Sequence, residues 1–308
     1  MTATERYRQL CSAEGARVPL FQQAWWMDAV CHGKRWDVLL EPDADNPSAI
    51  VAAWPYLVGQ RLGLRYVVQP QLTQFSGPWF RSADAESQRA AAQALIERIA
   101  GLKAIYFDQN LSPEVADWLP YHWAGYRQTT RYTYRFDDIA DPEALFERFH
   151  PSQRQRAIAS ANRQLKVDET LSPAEFAAFH TNSFAARGQR DLLPASLIER
   201  VAAAAHSRNQ GLTLAARTAE GRLVGALFTP YDERVAYALL MPLAPDAPRG
   251  TMPLLVWEAL KRLASRCRAF DFEGSMDRGI EHSYRLYGAR QVPYHRIYKA
   301  PRLLYGLV

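Results

Sequence analysis

The stretch AFDFEGSMDRGIEHSYRLYGARQVPYHRIY, residues 269–298, decides the fold of this 308-residue chain. A short apolar run ends in Asp-Phe-Glu-Gly-Ser, and a segment with apolar residues at helical spacing follows. Gly288 then stands where a helix end needs a left-handed residue. The last part is rich in aromatic and β-branched residues, so the stretch predicts strand, turn, short helix, tight turn and strand. Glu273 is thereby placed at the open end of a buried strand, where α/β folds meet their ligands.

The same pattern occurs once more near the middle of the chain. Residues 104–109 read AIYFDQ, which resembles AFDFEG at 269–274, and GYRQ at 125–128 resembles GARQ at 288–291. Each copy follows a predicted long helix, at about residues 83–100 and 252–266. Solenoid repeats run at about 20–50 residues, so this much longer period indicates a duplicated domain.

Composition indicates a folded protein with more than one core. The chain is 48% hydrophobic and 22% charged, and its length exceeds the usual range of a single domain. No apolar run approaches the roughly 18 residues of a membrane span, and the N-terminus has no apolar signal core, which predicts a cytoplasmic protein. The three cysteines, Cys11, Cys31 and Cys267, are widely spaced, which favours reduced thiols over a disulfide framework or a metal site.

The net charge of +5 favours anionic partners without identifying one. The excess is concentrated between Arg148 and Lys166, where Arg154 and other basic residues stand with almost no acid. Phosphate, nucleotide or RNA is one partner class for this segment. The alternative is a helix that carries a solvated basic face.

The remaining patterns predict two α/β units. The first contains a helix near 24–30, strands near 36–40, 49–56 and 64–68, and an irregular polar loop over 69–80. The second contains helices near 142–149, 152–165, 172–186 and 195–208, then strands near 212–217, 223–230 and 234–241, with a tight turn at Glu220-Gly221. Asp137, Asp138 and Pro142 interrupt the pattern between the units. The predicted domains are therefore residues 1–137 and 138–308.

Several short motifs stand in an order that resembles the GNAT acyltransferases, and more closely their tandem, Fem-like (FemAB-type) branch. The motifs are FQQAWW at 21–26, Gly77-Pro78, the basic segment 154–166, FDFEGS at 270–275, GIEHSYR at 279–285 and Tyr287-Gly288. The resemblance covers nearly the whole chain. It implies an α/β (α+β) protein of two tandem GNAT-like domains, each a mixed twisted sheet flanked by helices, with the donor and catalytic site in the second.

The resemblance also implies acyl transfer to an amine at a cleft between two splayed strands of the second domain. Such enzymes align donor and acceptor for direct attack, remove a proton and stabilise an oxyanion. The chain agrees with this, since it has no Gly-x-Ser-x-Gly elbow. Walker and His-Glu-x-x-His motifs are missing from the sequence as well, which disfavours NTPase and zinc-hydrolase chemistry.

Glu273 and Arg285 are the predicted catalytic residues. A carboxylate at a strand end beside Gly274 is partly desolvated, which raises its pKa toward the range of a general base. The alternative is that Glu273 caps the following helix or pairs with Arg278. Arg285 occupies the position where Fem-like transferases usually have Lys on the donor side, and it is expected to hold a phosphate or the oxyanion. The alternative is that Arg285 simply lies on the solvated face of a helix.

The donor loop is predicted at DAPRGTMP, residues 246–253. Arg249, Gly250 and Thr251 are the expected contacts to the donor's phosphates at a helix N-terminus, with Thr251 as the helix cap. Relative to CoA-dependent relatives the loop keeps one glycine and has Met252 where a small residue is expected. Acyl-CoA and aminoacyl-tRNA both stay open as the co-substrate, and no permanently bound cofactor is expected.

Gln74, Tyr237, Tyr284 and Arg154 are the predicted substrate-binding residues. Gln74 belongs to a polar loop that binds an acceptor or satisfies its own backbone, and Tyr237 is a core or cleft-wall residue in the alternative reading. His282 and His295 are weaker acid–base candidates. No metal ligands are predicted.

The sequence as a whole predicts an N-acyltransferase that forms an amide on an envelope precursor, a peptide or a small metabolite. Its partners are an anionic donor, as CoA thioester or aminoacyl-tRNA, and an amine-bearing acceptor. No membrane span is expected, and peripheral membrane contact is left open. The alternative is a non-catalytic binding module that keeps the duplicated GNAT cleft.

Overall fold

The computed structural model describes residues 1–34 and 36–301, which form two compact units. The first unit is Met1–Arg131 together with the chain from Pro293 onward, and the second is Tyr132–Val292. The predicted domain boundary, between residues 137 and 138, is a different division of the chain because it assigns the C-terminal strand to the second domain. That boundary stays a prediction.

The first unit begins with helices and continues into a sheet. Its elements are α1 (Ala3–Glu14), 3-10 turns at Gly15–Arg17 and Leu20–Gln22, α2 (Ala24–Val30), β1 (Trp36–Pro42), β2 (Ile50–Arg61), β3 (Leu64–Val68), β4 (Trp79–Phe80), α3 (Ala85–Ala100), β5 (Tyr106–Asn110) and α4 (Leu119–Trp123). The chain then enters β6 (Arg127–Phe136), within which the division into units falls.

The second unit follows the predicted order of helices, three strands, helix, strand and helix, except that a short strand at Leu165–Asp168, which was not predicted, stands between its second and third helices. Its elements are α5 (Pro142–Glu147), a π-helical turn at Pro151–Gln155, α6 (Arg156–Asn162), β7 (Leu165–Asp168), α7 (Pro173–Ala185), α8 (Ala195–His206), β8 (Gly211–Thr218), β9 (Leu223–Pro230), β10 (Val235–Tyr237), α9 (Thr251–Leu263), β11 (Ala269–Asp271), α10 (Arg278–Arg285) and the start of β12 (Arg290–Lys299).

Each unit has a mixed arrangement of strands. In the first, β1, β2 and β3 are antiparallel neighbours, β3 pairs in parallel with β5, and residues 296–299 of β12 pair antiparallel with β5. In the second, β7, β8 and β9 form an antiparallel sheet, while β11 pairs antiparallel with β6 and parallel with β10. This agrees with the predicted α/β class.

The internal repeat is confirmed by the element order of its two copies. The first copy runs α3, β5, α4 and β6, and the second runs α9, β11, α10 and β12. Each short helix is followed by a left-handed glycine, Gly125 with φ +79° and Gly288 with φ +71°. At Gly288 an added Cβ would lie 2.6 Å from the Arg148 carbonyl oxygen, so this turn requires glycine.

The predicted helix faces pack into the two cores. Leu95 and Ile99 of α3 belong to the first unit's core with the fully buried Trp54. Val256 and Leu260 of α9 belong to the core of the second unit. Cys11, Cys31 and Cys267 are all buried, and none of them forms a disulfide in the structure. None of the helices in the described part of the chain is both long and apolar enough to cross a bilayer.

Candidate functional site

The parallel strands β10 and β11 separate after three paired residues, of which Tyr237 and Asp271 are the last. The N–H of Ala238 still donates to the Asp271 carbonyl at 2.9 Å, but that of Leu239 donates to the Phe228 carbonyl of β9 at 3.2 Å, whereas Phe272 stays with β6 and donates to the Tyr134 carbonyl at 2.9 Å. We call this opening, between residues 238–241 and 272–274, the β10–β11 fork. The strand that the sequence predicts over residues 234–241 is therefore shorter in the structure, because its pairing with β11 ends after Tyr237.

Glu273 stands in the fork on a left-handed backbone turn. Its φ is +63° and that of Gly274 is +65°. An added Cβ at Gly274 would lie 2.1 Å from the Tyr132 carbonyl oxygen, so the position has room for glycine only. The N–H of Glu273 donates to Asp271 Oδ1 at 2.7 Å, and the Thr133 hydroxyl donates to the same oxygen at 2.5 Å. The turn is therefore fixed on both sides of Glu273.

The Glu273 carboxyl group is enclosed although the residue as a whole is partly exposed. Its Oε1 is buried and has no hydrogen-bond partner among the residues that the structure describes. Burial raises the pKa of Glu273 well above its ordinary range, and the negative charge of Asp271 raises it further. A carboxyl group with such a pKa at a chain opening is suited to proton transfer.

The two alternative roles for Glu273 are not found. Asp277 caps helix α10, where its Oδ1 accepts from the N–H groups of Gly279 and Ile280, both at 2.9 Å. Within residues 1–34 and 36–301, no ion pair joins Glu273 to Arg278. Glu273 is thus neither the helix cap nor a partner of Arg278.

Tyr284 lies near Glu273. It is 8% exposed, with ring centroids 5.3 Å from Phe272 and 6.2 Å from Tyr134. Burial raises the pKa of the Tyr284 hydroxyl, and the charge of the Glu273 carboxylate raises it further. The structure therefore brings a predicted substrate-binding residue to the predicted base.

Arg285 is exposed on helix α10. Its Nε forms an ion pair with Glu281 at 2.9 Å, and 59% of its side chain is exposed. The Glu281 carboxylate also accepts the hydroxyl of Tyr134. No hydrogen bond or ion pair between Arg285 and Glu273 occurs in the described chain. Its predicted catalytic role stays a prediction.

The predicted donor loop leads from the fork into helix α9. Gly250 is the N-cap residue with φ +95°, and an added Cβ there would lie 2.2 Å from the Ala157 carbonyl oxygen. Thr251 is buried, and its hydroxyl donates to the Pro248 carbonyl at 2.7 Å instead of accepting from the helix. The prediction that Thr251 caps the helix is wrong, because this side chain turns back to the preceding loop.

The start of α9 consequently has free backbone donors. The N–H groups of Arg249, Gly250 and Met252 have no acceptor within the described residues. Unpaired N–H groups and the helix dipole together favour an anion at this end of a helix. Arg249 itself is exposed and adds a positive charge.

Arg154 is not on a solvated basic face. It is 7% exposed, donates to the carbonyl and to the hydroxyl of Ser283, the latter at 2.8 Å, and lies 4.4 Å from the ring centroid of Tyr287. Burial lowers the pKa of Arg154, and the positive charge of Arg249 lowers it too. Arg154 is therefore a buried link between the π-helical turn and α10, with Arg249 nearby.

The other predicted site residues are more dispersed. Tyr237 is buried at the end of β10 in the second unit, 5% exposed. Gln74 is buried in the first unit, where its carbonyl accepts from Gln69 Nε2 at 2.7 Å and Asn110 Nδ2 at 3.1 Å. Those two bonds support the reading that the polar loop satisfies its own backbone. Among the described residues no cluster of His, Cys, Asp and Glu is suited to a metal ion.

The residues that hold Glu273 and Arg154 in place were not identified from the sequence. Asp271 stands two positions before Glu273, and alternate residues of a strand share a face, so this pair was a usable signal. Thr133 and Ser283 gave no local signal, because each acts on a residue more than a hundred positions away.

Solved structures share this fold over nearly the whole chain. The crystal structure of FemX has a TM-score of 0.68 at 12% identity and covers 99% of this chain and 97% of its own. The C-terminal domain of a putative lysylphosphatidylglycerol synthetase from Agrobacterium fabrum has a TM-score of 0.61 at 13% identity, and the match covers 97% of this chain and 92% of that one. A tandem GNAT protein from the clavulanic acid biosynthesis pathway has a TM-score of 0.54 at 12% identity, and the match covers 96% of this chain and 94% of that one. These likenesses confirm the predicted tandem GNAT-like fold.

In sequence, no curated protein matches the chain. A family model described as an acetyltransferase (GNAT) domain matches residues 126–282, just over half of the chain. The matched range contains the β10–β11 fork, Glu273 and the start of helix α9. The chain therefore belongs to the GNAT acetyltransferase family.

Proposed function

We propose that this protein is an N-acyltransferase whose reaction takes place in the β10–β11 fork. The observation that carries the proposal is the arrangement on the two sides of the fork. Glu273 follows β11 with an enclosed, unpartnered carboxyl oxygen, and the chain that continues from β10 leads to the start of α9, where the N-cap residue Gly250 has no side chain to cap the helix. An acyltransferase needs both a base for the amine and an anion site for the donor.

The start of α9 fits the phosphate groups of an activated donor. GNAT domains use acyl-CoA as co-substrate, which supplies a thioester carbonyl and a thiolate leaving group. The free N–H groups of Arg249, Gly250 and Met252 supply directed donors, and the Arg249 guanidinium supplies charge. An aminoacyl-tRNA carries phosphates too, so the same groups suit either predicted donor.

Glu273 is the proposed general base. An amine acceptor arrives as an ammonium ion, and the ionised carboxylate takes its proton directly or through a water molecule. The raised pKa makes Glu273 a stronger base than an ordinary carboxylate. The Tyr284 hydroxyl keeps its proton at neutral pH, as an ordinary tyrosine does, and its raised pKa extends this to more alkaline pH, so it is available as a hydrogen-bond donor to substrate.

The acceptor is proposed to be an amine on an envelope precursor, a peptide or a small metabolite. One fold neighbour is named as a lysylphosphatidylglycerol synthetase, which favours keeping aminoacyl donors beside acyl-CoA. Arg285 remains the proposed second catalytic residue. It forms an ion pair with Glu281, and 59% of its side chain is exposed.

The test is a transfer assay that combines acyl-CoAs and aminoacyl-tRNA with a panel of amines, with the amide product detected by mass spectrometry. Glu273→Gln should lower turnover about 100- to 10,000-fold, as expected for loss of a general base. Glu199→Gln, an exposed residue of α8, is the matched control and should keep wild-type turnover. Equal turnover in Glu273→Gln would contradict the proposed base.

Donor binding is measured separately by calorimetry. Arg249→Ala should weaken donor binding by about 1–3 kcal/mol, the range of a hydrogen bond to a charged group. Arg208→Ala removes an exposed arginine at the end of α8 and should leave the affinity unchanged. Unchanged affinity in Arg249→Ala for every donor would place the donor site elsewhere.

A further inference from the structure

One face of the first unit's sheet is left half-buried. Val67 of β3 and Phe107 of β5 point into the first unit's core. Since alternate residues of a strand face opposite sides, Tyr66, Val68 and Tyr106 lie on the other face, where they are half-buried. This face belongs to the first unit alone and takes no part in the β10–β11 fork.

Two cavities lie next to each other on this face. One, of about 410 Å³, is lined mainly by apolar side chains, among them Leu62, Leu64 and Ile105. The other, of about 290 Å³, is polar. Val68 and Tyr106 line both cavities, so the two are neighbours, and we call them together the groove, with an apolar end and a polar end.

The apolar end is formed at the tip of the β2–β3 hairpin. Leu62 is 92% exposed, Leu64 is 50% exposed, and Ile105 beside them is 38% exposed. The Ile105 N–H donates to the Arg65 carbonyl at 2.9 Å, which holds residue 105 against the hairpin. Large apolar side chains exposed side by side next to a groove indicate a binding surface.

The charged residues of the β2–β3 hairpin tip and of the loop before β5 are all positive. Arg61, Arg65 and Lys103 stand among the exposed apolar residues, and residues 58–68 and 100–105 contain no Asp or Glu. None of the three cations forms an ion pair in the part of the chain that the structure describes. An apolar tip surrounded by unpaired cations is complementary to the interface of an anionic bilayer.

The polar end has one uncompensated cation. The Arg296 guanidinium pairs with Asp108 at 2.6 Å, and Asp108 also accepts the Tyr106 hydroxyl at 2.9 Å. Arg131 lines the same cavity and has no ion-pair partner within residues 1–34 and 36–301. The three charged side chains of this end sum to one positive charge, which suits a single phosphate. Asp108 is the counterpart of Glu273 in the repeat, and its ion pair leaves it no role as a base.

We infer that this groove binds one anionic phospholipid presented by a bilayer. Leu62 enters the apolar layer, while Arg61, Arg65 and Lys103 contact headgroup phosphates around it. An acyl chain of the bound lipid lies along Leu64 and Val68. The phosphate of that lipid is held at Arg131.

Vesicle flotation of the full chain tests the inference. The protein should float with vesicles of phosphatidylglycerol and phosphatidylcholine and not with phosphatidylcholine alone. Leu62→Ser and Arg61→Gln should each weaken the apparent affinity, the charge change by roughly fivefold. Leu192→Ser, at a leucine 72% exposed in the second unit, is the matched control and should bind as wild type. Equal flotation with both vesicle types, or unchanged flotation of Leu62→Ser, would overturn the inference.

A second measurement separates a lipid in the groove from adsorption to a charged surface. Monomeric dihexanoyl phosphatidylglycerol should bind the wild-type protein saturably in calorimetry, and Arg131→Gln should weaken that binding. Dihexanoyl phosphatidylcholine is the neutral comparison and should bind more weakly. Thermal unfolding confirms that each variant is folded. If the monomeric anionic lipid does not bind, or if Arg131→Gln leaves its binding unchanged, the groove is not the lipid site.

Discussion

The backbone N–H of Glu273 donates to the Asp271 carboxylate at 2.7 Å, which joins the two acidic residues of the β10–β11 fork in one turn. Asp271 thereby has two effects on its neighbour. It fixes the backbone from which the Glu273 side chain projects, and its charge adds to the burial that raises the pKa of Glu273. Asp271 therefore contributes to both the position and the basicity of the proposed base.

Asp271→Asn should lower the pKa of Glu273, because a nearby negative charge disfavours ionisation of a second carboxyl group. The pKa should stay above the ordinary range, since burial is the larger cause. The amide oxygen of Asn still accepts a hydrogen bond, so the turn is kept. If Glu273 is the base, the rise of kcat/KM with pH should move toward acid. Asp45→Asn, at an exposed residue of the first unit, should leave the profile in place.

Glu273→Gln should stabilise the protein at neutral and alkaline pH. A carboxyl group whose folded-state pKa is raised contributes stability that is present below its unfolded pKa and lost as the pH rises through the folded pKa. Each unit of difference between the two pKa values amounts to about 1.4 kcal/mol. The neutral amide does not titrate, so the gain should appear above the ordinary Glu range and vanish below it.

The measurement is the free energy of unfolding from urea titrations at several pH values. Glu199→Gln on the exposed face of α8 serves as the control, and its free energy of unfolding should stay close to that of wild type at each pH. A Glu273→Gln variant with the same stability as wild type at every pH would mean that the Glu273 carboxyl group is not desolvated.

The repeat could be predicted because its signals are local. The buried strand before Glu273 and Gly288 after the short helix are signals from adjacent residues, and the structure has each in its expected place. The pairing of β12 with β5 could not be predicted in this way. It joins segments far apart in the sequence, and the turn residues Asp137 and Asp138 mark an interruption in the chain without showing which strands pair across it.

The candidate site was predictable to a similar degree. Glu273 follows from strand and turn alone. The burial of Arg154 could not be read from its basic neighbourhood, because it depends on Ser283 and Tyr287 more than a hundred positions away. The orientation of Thr251 was missed for a different reason. Its hydroxyl is chemically able to cap the helix or to bond the preceding loop, and only the folded chain selects the second.

Gly274→Ala should destabilise the protein by about 3 kcal/mol or more. The alanine would have to adopt a left-handed backbone conformation, and its Cβ would in addition overlap with neighbouring backbone atoms. The new Cβ would lie 2.1 Å from the Tyr132 carbonyl oxygen, and neither backbone segment can move without disturbing β6. Gly221→Ala separates the two effects. Its φ is +84° with no atom within 4 Å of the new Cβ, so strain alone should cost about 1–2 kcal/mol. Equal losses of unfolding free energy in the two variants would show that the fork backbone yields.

Arg285→Ala decides whether the exposed arginine of α10 takes part in the reaction. Its ion pair with Glu281 joins residues four apart on a helix surface, and such pairs contribute about 0.3–0.5 kcal/mol, so stability should change little. Turnover should fall about 100- to 1,000-fold if Arg285 stabilises the oxyanion. Arg278→Ala removes another arginine from the same helix and should keep wild-type turnover. If Arg285→Ala and Arg278→Ala have equal turnover, Arg285 is a surface residue without a role in the reaction, and Glu273 is the one proposed catalytic residue that is left.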